Sequence, residues 1–359
     1  MLAAVKETPG AGISLKQVAV PTPGRGECLV RVRAAGICGT DMPIIGGERE
    51  VPLPLIPGHE FSGEVVELGP PGEERSCPGV GVGDRVTAAL VVSCGACHVC
   101  RSGYTPLCQE GERLGINRDG FFAQYAAVPI RNLVPLPEGM THIQGAMADP
   151  AACALRPLLK ALRLSGTPEE PIKPENWPEA FRNVFVLGPG PIGLFALQLA
   201  LALGAPRAAV VGTRSDRLAL AKKLGAGEVI NLFKEDLEAR ADAITGGRGA
   251  DLVVEATGNP EAVGQALSIV SPGGTVVLAG IFKDRVRLDA LNIVRKEPVV
   301  TGSLCYTLEE MRVALDLLAS GDVRVDEIVT HWMPLQEIQS ALDLLRERKA
   351  VKVILDPWT

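Results

Sequence analysis

The sequence predicts an α/β protein of two domains, one β-rich and one a doubly wound parallel sheet, and three observations carry that prediction. The chain has 359 residues, more than one core usually organises and enough for two. Up to about Arg131 it is rich in Val, Gly and Pro, and runs such as CLVRVRAAG and FSGEVVELG alternate with the period of strands joined by turns. From about Asn183 strands and helices alternate instead, in NVFVLG, LFALQLALALG, AAVVG, DRLALAKKLG, ADLVVEAT and TVVLAG, the pattern of parallel strands with crossover helices.

Between the two textures lies SGTPEEPIKPENWPEAF (165–181), whose four prolines exclude a regular element, so a surface insertion at the domain junction is expected. After Lys296 the apolar spacing of TLEEMRVALDLLASG and LQEIQSALDLLRERK predicts two amphipathic helices, and AVKVILD predicts a closing strand.

Composition excludes several function classes. Hydrophobic residues make up 47% and charged residues 22%, the proportions of a folded globular protein and not of a disordered one. The apolar stretch PIGLFALQLALALGA (191–205) is too short to span a bilayer and predicts a buried helix. MLAAVKETPG has no basic leader, apolar core and cleavage site, so a cytoplasmic protein is expected. A net charge of −6 and only 4% aromatic residues leave no footprint for nucleic acid, which makes small molecules the expected partners.

Four of the nine cysteines fall within CGACHVCRSGYTPLC, and Cys94, Cys97, Cys100 and Cys108 have a spacing that lets one loop wrap four thiolates around a tetrahedral zinc ion. An all-sulfur shell leaves no open position, so this zinc is structural. His98, inside the loop, is superfluous to it and is expected to face solvent. A second set is open. Cys38, in GICGTDMP, is followed 21 residues later by His59 and Glu60 in GHEFSGEVVELG. One sulfur, one nitrogen and one oxygen can share a zinc ion and leave a position for water or substrate, which is the arrangement of a catalytic site.

These motifs carry a family resemblance. Gly58-His59-Glu60 with Gly63 and Gly69, the run GVGDRV and the four-cysteine lobe resemble the zinc-containing medium-chain alcohol and polyol dehydrogenases. The likeness extends over nearly the whole chain apart from the junction insertion and the loop 70–79. It implies a GroES-like catalytic domain from 1–155 and 300–359, a Rossmann domain from 156–299, two zinc ions per chain, and a homotetramer, with a dimer as the alternative. It implies a further zinc-shell carboxylate at Asp149, in MADPAACALRP, where relatives carry glutamate and the shorter arm of aspartate reaches through water; Cys153 is offset from that position. It also implies that Thr40 passes the substrate proton toward the nicotinamide ribose. Relatives continue that relay with a histidine where this chain has Pro43, which carries no proton.

The nucleotide fingerprint stands on its own residues. NVFVLGPGPIGLFALQLALALG places Gly188, Gly190, Pro191, Ile192 and Gly193 after an apolar strand and at the start of an apolar helix, whose N-terminus offers unpaired N–H groups to a pyrophosphate. An NAD enzyme usually ends the next strand with an acid that binds the adenosine ribose. Here that position is Gly212, followed by Thr213 and Arg214, a hydroxyl and a guanidinium suited to a 2′-phosphate. NADP is therefore the expected cofactor, with NAD the alternative. Gly-Thr-Arg also resembles the Gly-Ser-Arg of NADP-dependent relatives, and Arg217 matches a nucleotide-contacting arginine of the polyol enzymes. Asp216 is expected to face solvent at the helix start. Thr257, Gly280 and Ile281, at the ends of two further strands, are expected cofactor neighbours.

The expected activity is thus hydride transfer between a secondary alcohol, polyol or sugar and NADP, the open zinc acting as a Lewis acid on the alcohol oxygen. The alternatives are an NAD-linked polyol or threonine dehydrogenase and, outside enzymes, a silent nucleotide-binding protein that kept the fold.

Overall fold

The computed structural model describes residues 1–72, 79–165 and 177–359, so most of the junction insertion and of the loop after Gly69 lies outside the described residues. The chain divides into two compact units, Met1–Asp149 with Cys305–Ala319 and Ile328–Thr359, and Pro150–Leu304 with Ser320–Glu327. The first division falls inside the helix Ala148–Leu164, and Ser320–Glu327 returns to the second unit.

The first unit is built on a seven-stranded sheet. Its path runs Val329–Pro334, Lys352–Asp356, Glu27–Gly36, Glu60–Leu68, Arg85–Ala88 and Leu133–Pro135, with Tyr125–Pro129 also pairing Glu27–Gly36. The two alternating runs expected as strands are Glu27–Gly36 and Glu60–Leu68, and AVKVILD supplies Lys352–Asp356. Their inward residues, among them Val30, Val32, Phe61, Val65 and Val353, form one core with Phe121, Phe122 and Leu342. The registers matter more than the packing. Gly36 lies opposite Glu60 on one side and Ile354 on the other, both antiparallel. The chain beyond Gly36, the residues before Glu60 and the start of the strand at Lys352 therefore meet at one end of the sheet.

The second unit holds six parallel strands in the order Glu228–Asn231, Ala208–Gly212, Val184–Leu187, Ala250–Glu255, Val270–Leu278 and Val299–Gly302. Numbered by sequence this is 3-2-1-4-5-6, the doubly wound arrangement whose switch point, beside the first strand, binds dinucleotides. PIGLFALQLALALGA forms the helix Pro191–Ala202, and the residues Gly193–Ala200 within it are all buried, as expected of an apolar run too short for a membrane. Among the described residues no helix is long and apolar enough to cross a bilayer. The two amphipathic patterns near the C-terminus are the helices Leu308–Ala319 and Ile338–Arg346, both in the first unit.

Candidate functional site

The sheet end described above gathers one ligand set. Cys38 sits two residues beyond its strand, His59 one residue before the next, and Glu60 begins that strand. Ligand atoms of Cys38, His59 and Glu60 all lie within 4.8 Å of one another. Gly58 makes the approach possible. Its φ is +92°, and a Cβ there would stand 2.4 Å from the Phe122 ring, so only glycine can precede His59 in this turn. Gly36 has a similar duty, since a Cβ on it would lie 2.3 Å from Glu60 Oε2.

Two side chains, Asp41 and Lys352, position these ligands and a third, Tyr306, holds the neighbouring Asp149; sequence reasoning missed all three. Asp41 is fully buried; its Oδ2 accepts the Cys38 amide at 2.8 Å, and its Oδ1 stands 3.4 Å from His59 Nδ1. That leaves His59 Nε2 on the side of the Thr40 hydroxyl, 3.3 Å away. Such a carboxylate behind an imidazole fixes which ring nitrogen faces a metal. Lys352, also buried, donates to the Ile37 carbonyl at 3.0 Å and to Glu60 Oε1 at 2.6 Å. Tyr306 donates to Asp149 Oδ2 and accepts from the Leu90 amide at 3.3 Å. The available signals were a carboxylate three residues after Cys38 and a lone lysine at the head of the strand KVILD.

Asp149 is buried nearby but is not in the group whose ligand atoms lie within 4.8 Å of one another. Its carboxylate accepts a hydrogen bond from the Tyr306 hydroxyl.

The donor chemistry fits zinc. His59 Nδ1 and Asp41 Oδ1 face each other at 3.4 Å, which leaves Nε2 as the ring nitrogen for a metal, and Glu60 Oε2 is buried without a hydrogen bond. Lys352 Nζ is also 2.6 Å from Glu60 Oε2, but only its approach to Oε1 has hydrogen-bond geometry, which leaves Oε2 with a buried, uncommitted lone pair. Burial lowers the His59 pKa, but the Asp41 and Cys38 charges outweigh it and hold the imidazole well above its ordinary value. Asp149 is pushed up to about 6, first by burial and then by the Glu60 charge against the pull of His59, Tyr306 and Lys352. A divalent cation answers this excess of buried negative charge.

The four-cysteine lobe fits a closed zinc site. Cys94 Sγ lies 3.9 Å from Cys100 Sγ and 3.5 Å from Cys108 Sγ, against an edge of about 3.8 Å for a tetrahedron with Zn–S bonds near 2.3 Å. The four ligand atoms of Cys94, Cys97, Cys100 and Cys108 are mutually within 4.8 Å. The Cys94 amide donates to Cys108 Sγ and draws its pKa down to about 7, while burial pushes Cys100 up to about 12. His98 is exposed and takes no part.

In the second unit the fingerprint forms the turn after Val184–Leu187. Gly190 caps the helix Pro191–Ala202 without any side chain over its first N–H groups, and a Cβ on Gly190 would meet nothing within 4 Å. By contrast a Cβ on Gly193 would fall 1.9 Å from the Gly188 carbonyl oxygen, so the helix can start this close to the strand only with glycine. Gly212 ends Ala208–Gly212 beneath Pro189, whose ring would be 2.6 Å from any Cβ there. Arg214 precedes the helix Ser215–Lys223, and its guanidinium pairs with Asp216. Asp216 is exposed as expected, but it is not free. Thr257 donates its amide and hydroxyl to the buried Glu255, which also accepts the Gly258 amide at 3.0 Å. A Cβ on Gly280 would strike Gly258 N and Glu255 Oε2, so the two strand ends interlock at these residues. Ile281 is 62% exposed at that rim.

Comparison with known proteins matches both halves. Residues 24–138 match the alcohol dehydrogenase GroES-like domain and residues 191–320 the zinc-binding dehydrogenase domain. The L-threonine 3-dehydrogenase of Pyrococcus horikoshii is 34% identical over 99% of this chain and 98% of its own. The D-arabitol-phosphate dehydrogenase of Enterococcus avium is 33% identical over 98% of this chain and 96% of its own. A zinc-binding dehydrogenase from Sinorhizobium meliloti, solved bound to NADP, superposes with a TM-score of 0.87 at 32% identity, covering 99% of each chain.

Because the Asp41 and Cys38 charges hold the His59 imidazole well above its ordinary pKa and a zinc ligand must be neutral, zinc uptake here should release a proton. Affinity at this site is expected to strengthen as pH rises above the ordinary imidazole range. Chelator competition on protein whose four-cysteine centre is already filled measures this; a pH-independent affinity would mean the imidazole is already neutral.

Proposed function

This chain belongs to the zinc-containing medium-chain alcohol and polyol dehydrogenase family, and from that premise we propose that it is an NADP-preferring enzyme with one structural and one catalytic zinc. Its reaction is hydride transfer between a CH–OH carbon of a secondary alcohol, polyol or sugar and a nicotinamide cofactor. The observation that carries the reading is the convergence of one sulfur, one imidazole and one carboxylate, from Cys38, His59 and Glu60, apart from a second set of four sulfurs.

When bound, the catalytic zinc supplies Lewis-acid stabilisation of the deprotonated substrate oxygen. The chain does the rest. Asp41 fixes the Cys38 backbone and the His59 ring together, and Lys352 holds Glu60 against the sheet. Thr40 presents its hydroxyl beside His59 Nε2, at the open side of the ligand set, where it can take the substrate proton. Pro43 has no group to accept it next, so the proton passes to solvent or the cofactor ribose. Asp149, held by Tyr306, stays outside direct ligation and leaves the fourth position to substrate or water. Names of relatives point to substrates with vicinal polar groups, a hydroxy amino acid and sugar-alcohol phosphates.

NADP preference is supported by the absence of an acid at Gly212, where Pro189 leaves no room for a side chain, and by Arg214 two residues on. The reading includes a homo-oligomer, tetramer before dimer. Its support is a set of exposed apolar residues in the second unit: the helix Ala290–Lys296 buries none of its residues, Val294 is 71% exposed, and the edge strand Val299–Gly302 exposes Val299 and Val300. An edge strand with apolar flanks is a template for a second copy. It includes a cytoplasmic location, since the eight described cysteines are free thiols, the state metal ligation needs.

Cys38→Ser and His59→Ala should each abolish turnover with the circular dichroism spectrum unchanged and metal content falling from about two zinc ions per chain to about one; retained turnover would remove the assigned metal role. Arg214→Ala should lower kcat/KM for NADP by roughly tenfold and leave NAD little changed, and an unaltered NADP to NAD ratio would end the NADP reading. Sedimentation velocity of the Val294→Asp protein should show a smaller species than wild type; identical sedimentation would place the interface elsewhere.

A further inference from the structure

We propose that Asp216 is a specificity-determining residue of the adenosine site, an internal anion that occupies the Arg214 guanidinium in the free protein and competes with a 2′-phosphate for it. The inference rests on the NADP reading above and deepens it. Arg214 Nε lies 3.1 Å from Asp216 Oδ1 and Nη2 lies 2.6 Å from Oδ2, a two-point pairing. A phosphate monoester would use the same fork, with two oxygens in the same plane. Arg217 stands behind, its Nε 3.8 Å from Asp216 Oδ2. One carboxylate is thus set between two guanidinium groups, at the point where Gly212 has removed the acid usual for NAD.

The charges around this point are consistent with such a role. Hydrogen bonding to Arg214 draws the Asp216 pKa down, so the competitor is an anion at neutral pH. Burial and then the Arg214 charge lower that of Arg217, as expected of two cations sharing one region. Asp216 lies in the first turn of Ser215–Lys223, where the helix end favours negative charge from any source, carboxylate or phosphate. The location of the contest is held by Asn231, whose Nδ2 donates to Ser215 Oγ at 3.2 Å and ties the end of the neighbouring strand to the start of this helix.

The outcome is a graded preference. Asp216 is 59% exposed, and pairs so open to water are weak. A bound 2′-phosphate can therefore displace the carboxylate, but the negative charge stays close to it and opposes the dianion. An unphosphorylated adenosine ribose meets neither effect. The site consequently admits NAD more readily, relative to NADP, than two arginines alone would.

The test is calorimetric binding of adenosine 2′,5′-bisphosphate and adenosine 5′-phosphate to the zinc-loaded, full-length protein, which reads the site without turnover. Asp216→Asn should bind the bisphosphate about three- to fivefold more tightly at low salt and leave the monophosphate unchanged. Asp216→Ser should do the same, which guards against a new bond made by the asparagine amide. In about 1 M salt, where the screening length falls to about 3 Å, the gain should disappear. Unchanged or weaker bisphosphate binding in both variants, or a loss of monophosphate binding that marks Asp216 as a ribose acceptor, would overturn the proposal. Arg214→Ala separates the two readings. If it weakens the bisphosphate while the Asp216 variants do nothing, only the competition fails; if it too does nothing, the NADP reading fails and the competition with it.

Discussion

Buried negative charge is the constraint on which the first unit depends. Asp41, Glu60 and Asp149 are each almost completely buried, and a Cys38 thiolate beside them would add a fourth anion. Each ion taken from water costs several kcal/mol unless an opposite charge and hydrogen bonds replace the solvent. Lys352 answers only part of this, with its single charge on Glu60. The Asp41 and Cys38 charges hold the His59 imidazole well above its ordinary pKa, and burial, followed by the Glu60 charge, pushes Asp149 up to about 6. The β-sheet registers at Gly36 are what put these groups in one place at the end of the sheet.

The cofactor half solves the opposite problem. Its ligand carries several negative charges, so the protein offers unpaired N–H groups at the start of Pro191–Ala202 and cations at the end of Ala208–Gly212, all near solvent. Here close packing serves access. Gly193 lets the helix begin against the strand, Gly212 makes room for Pro189, and Glu255 gathers the amides of Thr257 and Gly258 so that this strand end stays rigid beside Gly280. The acids of the first unit's site are buried, whereas Arg214 and Asp216 of the other pair where water reaches them.

What the sequence disclosed and what it hid divide along the same physical line. Patterns set by local geometry were legible: the alternation of Glu27–Gly36 and Glu60–Leu68, the apolar helix Pro191–Ala202, the amphipathic pair near the C-terminus, and the spacing of Cys94, Cys97, Cys100 and Cys108. Each depends on neighbours in the chain. Hidden were the contacts that depend on register between distant strands. Lys352 reaches Glu60 across nearly three hundred positions of sequence because Ile354 pairs with Gly36, and no pattern in KVILD tells which end of the sheet it faces. Tyr306 and Asp149 are a similar case. For Asp216 exposure was readable from its place at the helix start, but the rotamer that turns its carboxylate onto Arg214 was not.

The same distinction bears on Asp149. Its carboxylate is committed through Oδ2 to the Tyr306 hydroxyl, which is itself anchored by the Leu90 amide. Asp149 is near enough for the charges of His59 and Glu60 to act on it, so a buried acid outside the three-residue set still shapes the field in which that set sits.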